Sequence, residues 1–229
     1  MNMNLKMALV AAALAGSSLA GTAAHADAIT LFNTGVDASG TPLADGTIGD
    51  PHYSLISVPS GTTALRVRTS AGGFPVPPYF GDDALSAWIG PNNDPQVDGP
   101  LGLYDFQTTF SLAGFNAATA SISGGWSSDN NGVEILINGV NTGNPGTDFA
   151  QFSLGFAPFS ITSGFNSGVN TLDFIVSNGG GPTALRVEMT GAAGPAGVPE
   201  PAAWAMMLAG FGGVGALMRS RRRVAAATA

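Results

Sequence analysis

Residues that form turns interrupt the chain every several positions between residues 27 and 194, which leaves room only for short extended segments. The whole chain has 33 glycines and 15 prolines, and both residue types weaken the interior of a helix. No long segment of this region repeats apolar residues at the i, i+3 and i+4 spacing of an amphipathic helix. The pattern therefore predicts an all-β region.

Apolar and charged side chains alternate along residues 65–69 and 185–189. A period of two places the apolar side chains on one face of a strand and the charged ones on the other. Further strands are predicted at residues 29–33, 53–58, 103–112, 119–123, 133–137, 149–154 and 171–177. Nine short strands without crossover helices predict a β-sandwich of jelly-roll type. Residues 71–100 are rich in proline and predict a long excursion with one edge strand at 85–89.

The N-terminus has the organisation of a secretory signal peptide. Lys6 lies in a short polar start, residues 7–15 form an apolar run, and Ala24-His25-Ala26 is a small-residue cleavage site. We therefore predict a signal peptide at residues 1–26 and a β-sandwich domain at 27–194. His52 is then the single histidine of the mature chain.

The predicted domain is acidic and has no cysteine. It contains three arginines and fourteen acidic residues, a formal charge of −11. Such a surface repels nucleic acid and anionic lipid headgroups, so neither is an expected partner. The absence of cysteine excludes thiol catalysis, iron–sulfur clusters and cysteine-bound zinc.

Three features follow one another in residues 195–229. After a linker of small residues comes Val198-Pro199-Glu200-Pro201, then the uncharged segment 202–218, and then a basic stop made of Arg219, Arg221, Arg222 and Arg223. As a helix, the segment 202–218 would be about 25 Å long, near the lower limit for crossing a bilayer core. The arginines would hold the end of such a span on the cytoplasmic side.

This order of features resembles the PEP-CTERM sorting signal of Gram-negative bacteria, with Pro199, Glu200 and Pro201 as the motif. The resemblance implies export through the Sec machinery and recognition by an exosortase, which removes the tail. It also implies an inner-membrane precursor and a product at the cell surface or outside the cell. The alternative is an ordinary C-terminal membrane anchor, which has no need of the Pro-Glu-Pro motif.

The best internal motif runs from Gly124 to Gly139, where an aromatic residue and a loop rich in Asp and Asn precede a strand. With the strands that follow, residues 101–193 resemble galactose-binding-like jelly rolls, a class that includes carbohydrate-binding modules. A sugar stacks its C–H surface on an aromatic ring and bonds its hydroxyls to carboxylates and amides. The glycan-binding residues predicted here are Trp126, Asp129, Asn130 and Asn131, with Trp88 or Tyr79 as a second platform. The alternative is a core tryptophan beside an ordinary turn.

Calcium is a second interpretation of the oxygen-rich loops. Asp94 and Asp98, with Asn92 and Asn93, form one group, and Asp129 belongs to another. Hard cations prefer such oxygen ligands, although neither group has the spacing of an EF-hand. Calcium is the one cofactor that the sequence suggests.

Catalysis has little support in the sequence. A catalytic triad would depend on His52, and there is no G-x-S-x-G elbow. Glu134 and Glu188 lie at alternating strand positions that predict solvated carboxylates, not a glycosidase pair. The sequence therefore predicts an exported, non-catalytic protein of the surface or extracellular matrix, structural or adhesive in exopolysaccharide or biofilm. The alternative is a carbohydrate-binding module with a defined glycan site.

Overall fold

A computed structural model describes residues 26–62, 68–69, 78–91, 99–197 and 201–226 of the chain. The described residues up to Ala196 form one compact unit, and the C-terminal helix belongs to a second. Most of the predicted signal peptide, most of the predicted strand at 65–69, and the residues Asp94, Asp98, Pro199 and Glu200 lie outside the described residues.

Two antiparallel sheets, packed as a sandwich, make up the described part of the first unit. One has the order β3-β4-β11-β6-β9, with β1 paired to β11, and the other has the order β2-β5-β10-β7-β8. The strands are β1 Asp27–Ala28, β2 Tyr53–Ser57, β3 Arg68–Thr69, β4 Ile89–Gly90, β5 Gly102–Ser111, β6 Ser121–Asp129, β7 Asn131–Ile137, β8 Val140–Asn141, β9 Ala157–Ile161, β10 Val169–Asn178 and β11 Ala184–Ala193. A 3-10 turn covers Ala117–Thr119, and a single-turn helix, α1, covers Gln151–Leu154.

The core lies between the sheets and follows from alternation along the strands. Every second residue of β5 from Tyr104 to Phe110 is buried, and Phe106 lies opposite Phe174 of β10. Burying each large apolar side chain stabilises the fold by roughly 1.5–3 kcal/mol. Fully buried members of this core include Tyr104, Phe106, Leu112, Ile122, Trp126, Ile135, Leu172, Phe174, Leu185 and Val187.

A second apolar cluster covers the outer face of the six-stranded sheet, away from the main core. It consists of Tyr79, Trp88 and Ala184, with Phe80 and Phe152 packed against them. Ala184 lies opposite Asp129 in the β6–β11 ladder, on the face that does not contribute to the main core. We call these five residues the outer aromatic cluster; they add a third layer to one side of the sandwich.

Several predicted elements differ from the structure. Residues 149–154 were predicted as a strand, but the structure has a turn at 149–150 followed by the helix α1, from which Phe152 packs against Tyr79 and Phe149. The N-terminal strand covers Asp27–Ala28 instead of 29–33. Of the edge strand predicted at 85–89, only Ile89 belongs to a strand, the two-residue β4, which lies between β3 and β11 and not at an edge.

The C-terminal helix, α2, covers Pro201–Ala226 and contains the predicted segment 202–218. Within the described part of the chain, no helix combines the length and apolar character that a membrane crossing needs. The predicted transmembrane helix is therefore not supported by the structure.

Candidate functional site

A concave pocket of about 300 Å³ lies where β6 ends and β11 begins. We call it the aromatic pocket. Its walls come from the chain before β4, from the region of α1, and from the turn between β10 and β11. The lining residues are Pro78, Tyr79, Asp129, Asn130, Phe149, Phe152, Gly180, Gly181 and Pro182.

Three aromatic side chains form one wall of this pocket. The Tyr79 ring stacks on Phe152 with centroids 4.7 Å apart, and Phe149 meets Phe152 edge-on at 6.3 Å. Tyr79 is buried in the outer aromatic cluster, whereas Phe149 is 61% exposed. An exposed phenyl ring on a packed aromatic base offers a rigid apolar surface to a ligand.

The polar side of the aromatic pocket is built around the Asp129 carboxylate at the end of β6. Its Oδ2 accepts a hydrogen bond from the Tyr79 hydroxyl, and its Oδ1 accepts one from Asn130 Nδ2 at 2.8 Å. The Asn130 Oδ1 in turn accepts the Gly179 amide at 2.6 Å, which connects the β10–β11 turn to the residue between β6 and β7. These bonds hold both side chains in fixed positions at the pocket wall.

Burial raises the pKa of Asp129 to about 6, because the ionised carboxylate loses much of its hydration. The hydrogen bonds from Tyr79 and Asn130 oppose that rise by stabilising the charged form. Asp129 is the single carboxylate among the described residues that line the aromatic pocket.

The structure buries both predicted tryptophan platforms. Trp126 has no exposed surface and tilts against Phe174 at 5.8 Å in the main core. Trp88 is also fully buried, in the outer aromatic cluster, and its Nε1 donates to Phe80 O at 2.9 Å. Neither ring offers a stacking face, so the prediction is corrected for these two residues. In the β6–β11 ladder Trp126 lies opposite Val187, and the side chains of such a pair lie on the same face of the sheet, which here is the face of the main core.

The predicted polar residues separate into two groups. Asp129 and Asn130 line the aromatic pocket, whereas Asn131 is exposed and its Nδ2 lies 3.4 Å from Thr147 O. For calcium, Asp94 and Asp98 lie outside the described residues. Among the residues that the structure describes, Asp129 belongs to no group of three or more acidic or histidine side chains that could hold a metal.

Phe149 and Phe152 are the site residues that the sequence interpretation missed. The string Phe149-Ala-Gln-Phe152 has the spacing of one helical turn, which would have favoured a helix over a strand. Their position beside Asp129 depends on tertiary packing and has no local sequence pattern.

Comparison with known proteins identifies the C-terminal segment. Residues 197–223 match the family described as PEP-CTERM protein-sorting motif. Within this match the structure starts α2 at Pro201, and Arg219 is exposed in that helix. The chain therefore carries a PEP-CTERM sorting motif, which marks an exported protein that is processed by an exosortase.

The whole chain was also compared with curated proteins and with solved structures. No curated protein matches it. Among solved structures, CBM35 from Paenibacillus barcinonensis is similar at 15% identity with a TM-score of 0.34, covering 62% of this chain and 95% of that one.

Proposed function

We propose that this chain is an exported, non-catalytic surface or matrix protein that contacts extracellular polysaccharide through the aromatic pocket. The observation that carries the proposal is the pairing of an exposed phenyl ring with a fixed carboxylate and amide in one concavity. The sorting motif at residues 197–223 supports a role outside the cell, where polysaccharide is present.

The two sides of the aromatic pocket suit the two kinds of surface on a sugar. The Phe149 ring provides a stacking surface for the C–H face of a pyranose. Asp129 accepts hydrogen bonds from hydroxyls, and the Asn130 amide both donates and accepts. One exposed ring is a small contact, so we expect weak affinity for a single sugar. Strong attachment would require many copies of the protein bound to one polysaccharide.

The same geometry argues against hydrolysis at this place. Glycosidases of the common type use two carboxylates on opposite sides of the scissile bond. The described lining of the aromatic pocket supplies Asp129 alone. A role in binding or adhesion therefore fits the aromatic pocket better than catalysis does.

Replacing Phe149 by alanine tests the proposed glycan contact. The change removes the exposed ring without touching the main core, so we expect an unchanged melting temperature and at least about a fivefold loss of affinity. Binding is measured by affinity electrophoresis and calorimetry against neutral glucan, xylan and mannan.

The matched control is Leu154→Ala, which removes another exposed apolar side chain, 72% exposed in the wild type, from α1 outside the pocket lining. We expect it to bind like the wild type. Equal binding by wild type and Phe149→Ala, or no binding to any of these polysaccharides, would contradict the proposal.

A further inference from the structure

A second concavity, of about 340 Å³, lies on the same outer face of the six-stranded sheet. We call it the outer groove. Its floor is made of small residues from neighbouring strands, and its walls are apolar. The lining residues are Asn33, Leu85, Ser123, Gly125, Phe156, Glu188, Met189 and Thr190.

The outer groove has the same combination of surfaces as the aromatic pocket. Phe156 lies directly on Gly125, where an added Cβ would come within 2.6 Å of the Phe156 Cβ. Leu85, another lining residue, is 59% exposed. Glu188 Oε1 accepts the Ser86 hydroxyl at 2.7 Å and lies 3.4 Å from Arg186 Nη2. The carboxylate is thus held in place beside an aromatic wall.

Strand register places the two concavities in line. In the β6–β11 ladder, Asp129 lies opposite Ala184, and Gly125 lies opposite Glu188 on the same face. Asp129 and Gly125 are four positions apart on β6, a distance of about 13 Å at the usual rise of a strand. That distance is longer than one sugar ring and shorter than an oligosaccharide of several sugars.

A bridge between the concavities is formed by Arg186 and two phenyl rings. The Arg186 guanidinium carbon lies 4.9 Å from the Phe80 ring and 5.1 Å from the Phe156 ring. Phe156 belongs to the outer groove, and Phe80 packs in the outer aromatic cluster next to the pocket. The Phe80 and Phe156 rings are both partly exposed and their centroids lie 5.1 Å apart, so they form an aromatic surface beside the fully buried Arg186 that leads from one concavity to the other.

From this arrangement we infer that the aromatic pocket and the outer groove are two subsites of one linear site for an extended polysaccharide that carries no acidic groups. The inference rests on the proposed function and specifies its ligand. The polysaccharide lies over the layer of aromatic residues that covers β6 and β11, and it contacts Phe149 at one end and Phe156 at the other.

Charge defines the class of polysaccharide. Asp129 and Glu188 contribute carboxylates to the two subsites, and the half-exposed Asp83 pairs with Arg186 beside Leu85. Arg186, the cation at the bridge, is fully buried and already bonded to Asp83 and Glu188. Uronate or sulfate groups would be desolvated beside carboxylates with no accessible cation among the described lining residues, so acidic glycans are excluded.

Strand pairing argues against an extended peptide as the ligand. A peptide bound to a sheet gains most of its affinity from main-chain hydrogen bonds along a free edge. Here β6 is flanked by β11 and β9, so its main chain is already paired. The face offers side chains only, which suits the hydroxyl and C–H surfaces of a polysaccharide.

Binding measured against oligosaccharide length tests the linear site. The probes are glucan, xylan and mannan oligosaccharides, each as a disaccharide and a hexasaccharide, titrated into the wild type by calorimetry. We expect at least about tenfold tighter binding of the hexasaccharide of the preferred sugar, since it reaches both subsites. Polygalacturonate is expected not to bind.

The Thr190→Trp variant separates the two subsites. Thr190 is exposed at the floor of the outer groove, so the indole fills the groove without entering the core. We expect about a tenfold loss for the hexasaccharide and an unchanged disaccharide affinity, whereas Phe149→Ala weakens both ligands. Thr109→Trp, an exposed position on β5 of the other sheet, is the control for an added surface tryptophan.

Equal affinities for the two lengths, or an unaffected hexasaccharide with Thr190→Trp, would overturn the linear site while the glycan contact at Phe149 stands. Absence of binding to every oligosaccharide would overturn both. Melting temperatures of the variants check that each one is folded.

Discussion

At the scale of single residues, Asp129 combines burial with a role at the pocket wall. Burial raises its pKa to about 6 from an unfolded value near 3.8. Between these pH values the folded protein retains a proton that the unfolded chain releases. The folded state is therefore stabilised by this carboxyl at low pH, and the contribution is lost as the pH rises through about 6.

The Asp129→Asn variant tests that linkage, because asparagine does not titrate. We expect the free energy of unfolding of the wild type to fall relative to the variant by about 2 kcal/mol between pH 4 and pH 6. Above about pH 7 the two curves run parallel. Urea unfolding at several pH values provides the measurement.

Other carboxyls titrate in the same window, so only the difference between the two proteins is informative. Burial and the nearby Asp173 raise the pKa of Asp105 to about 6 as well. The titration of Asp105 contributes equally to the wild type and the variant, so it cancels in the difference between them. A constant difference across the whole pH range would show that Asp129 titrates normally in the folded protein.

At the scale of elements, Arg186 fastens the segment 78–91 to β11. Its Nε donates to Ser86 Oγ at 2.7 Å, its Nη1 donates to Gly81 O, and its Nη2 pairs with Asp83 at 3.0 Å. The guanidinium also lies between the Phe80 and Phe156 rings. One buried side chain thus connects the outer aromatic cluster to the sheet.

Replacing Arg186 by methionine removes these bonds and leaves the buried Ser86 and the Glu188 carboxylate with fewer partners. We expect a loss of about 3–5 kcal/mol in the free energy of unfolding, as for other broken buried ion pairs. Asp83→Asn is the control, because Asp83 is 51% exposed and its pair contributes about 1 kcal/mol or less. Equal effects of the two changes, measured by chemical denaturation, would show that the buried contacts contribute little.

The sequence predicted those features that follow from a pattern within one strand, and it missed those that depend on packing by residues distant in sequence. Alternation along residues 185–189 predicted β11 and its apolar face, because Leu185 and Val187 fall on the main core. The same alternation placed Arg186 and Glu188 on the opposite face and predicted a solvated carboxylate at Glu188, but a third layer covers that face. The layer comes from residues 78–91, distant in sequence, and strand alternation has no information about what packs on the outer face.

For Trp126 the sequence left two interpretations open, a glycan platform and a core tryptophan, and the structure shows the second. The loop composition around Asp129 correctly indicated a polar site at the end of a strand, and Asp129 and Asn130 line the aromatic pocket. Whether a tryptophan three residues earlier faces the core or the solvent depends on the register with β11, which the sequence of one strand leaves open. The aromatic wall instead comes from Phe149 and Phe152, on a separate element.

At the scale of the whole molecule, charge is distributed unevenly along the chain. Five of the eight basic residues lie in the predicted signal peptide and in the basic stop at 219–223, whereas fourteen acidic residues lie in 27–194. A polysaccharide site without acidic ligands is consistent with such a surface, since the whole domain repels polyanions. Export and processing would make the protein more acidic than its precursor.

Processing at the sorting motif is tested by intact mass together with isoelectric focusing of the exported protein. We expect a mass that ends near Pro201 and an isoelectric point below the value of 4.4 for the full chain, because the basic residues of both ends are removed. A variant with Pro199→Ala and Glu200→Gln should keep the tail and focus at higher pH. An exported wild-type protein that retains residues 202–229 would contradict the assignment of this tail as a removable sorting signal, and would favour the permanent anchor.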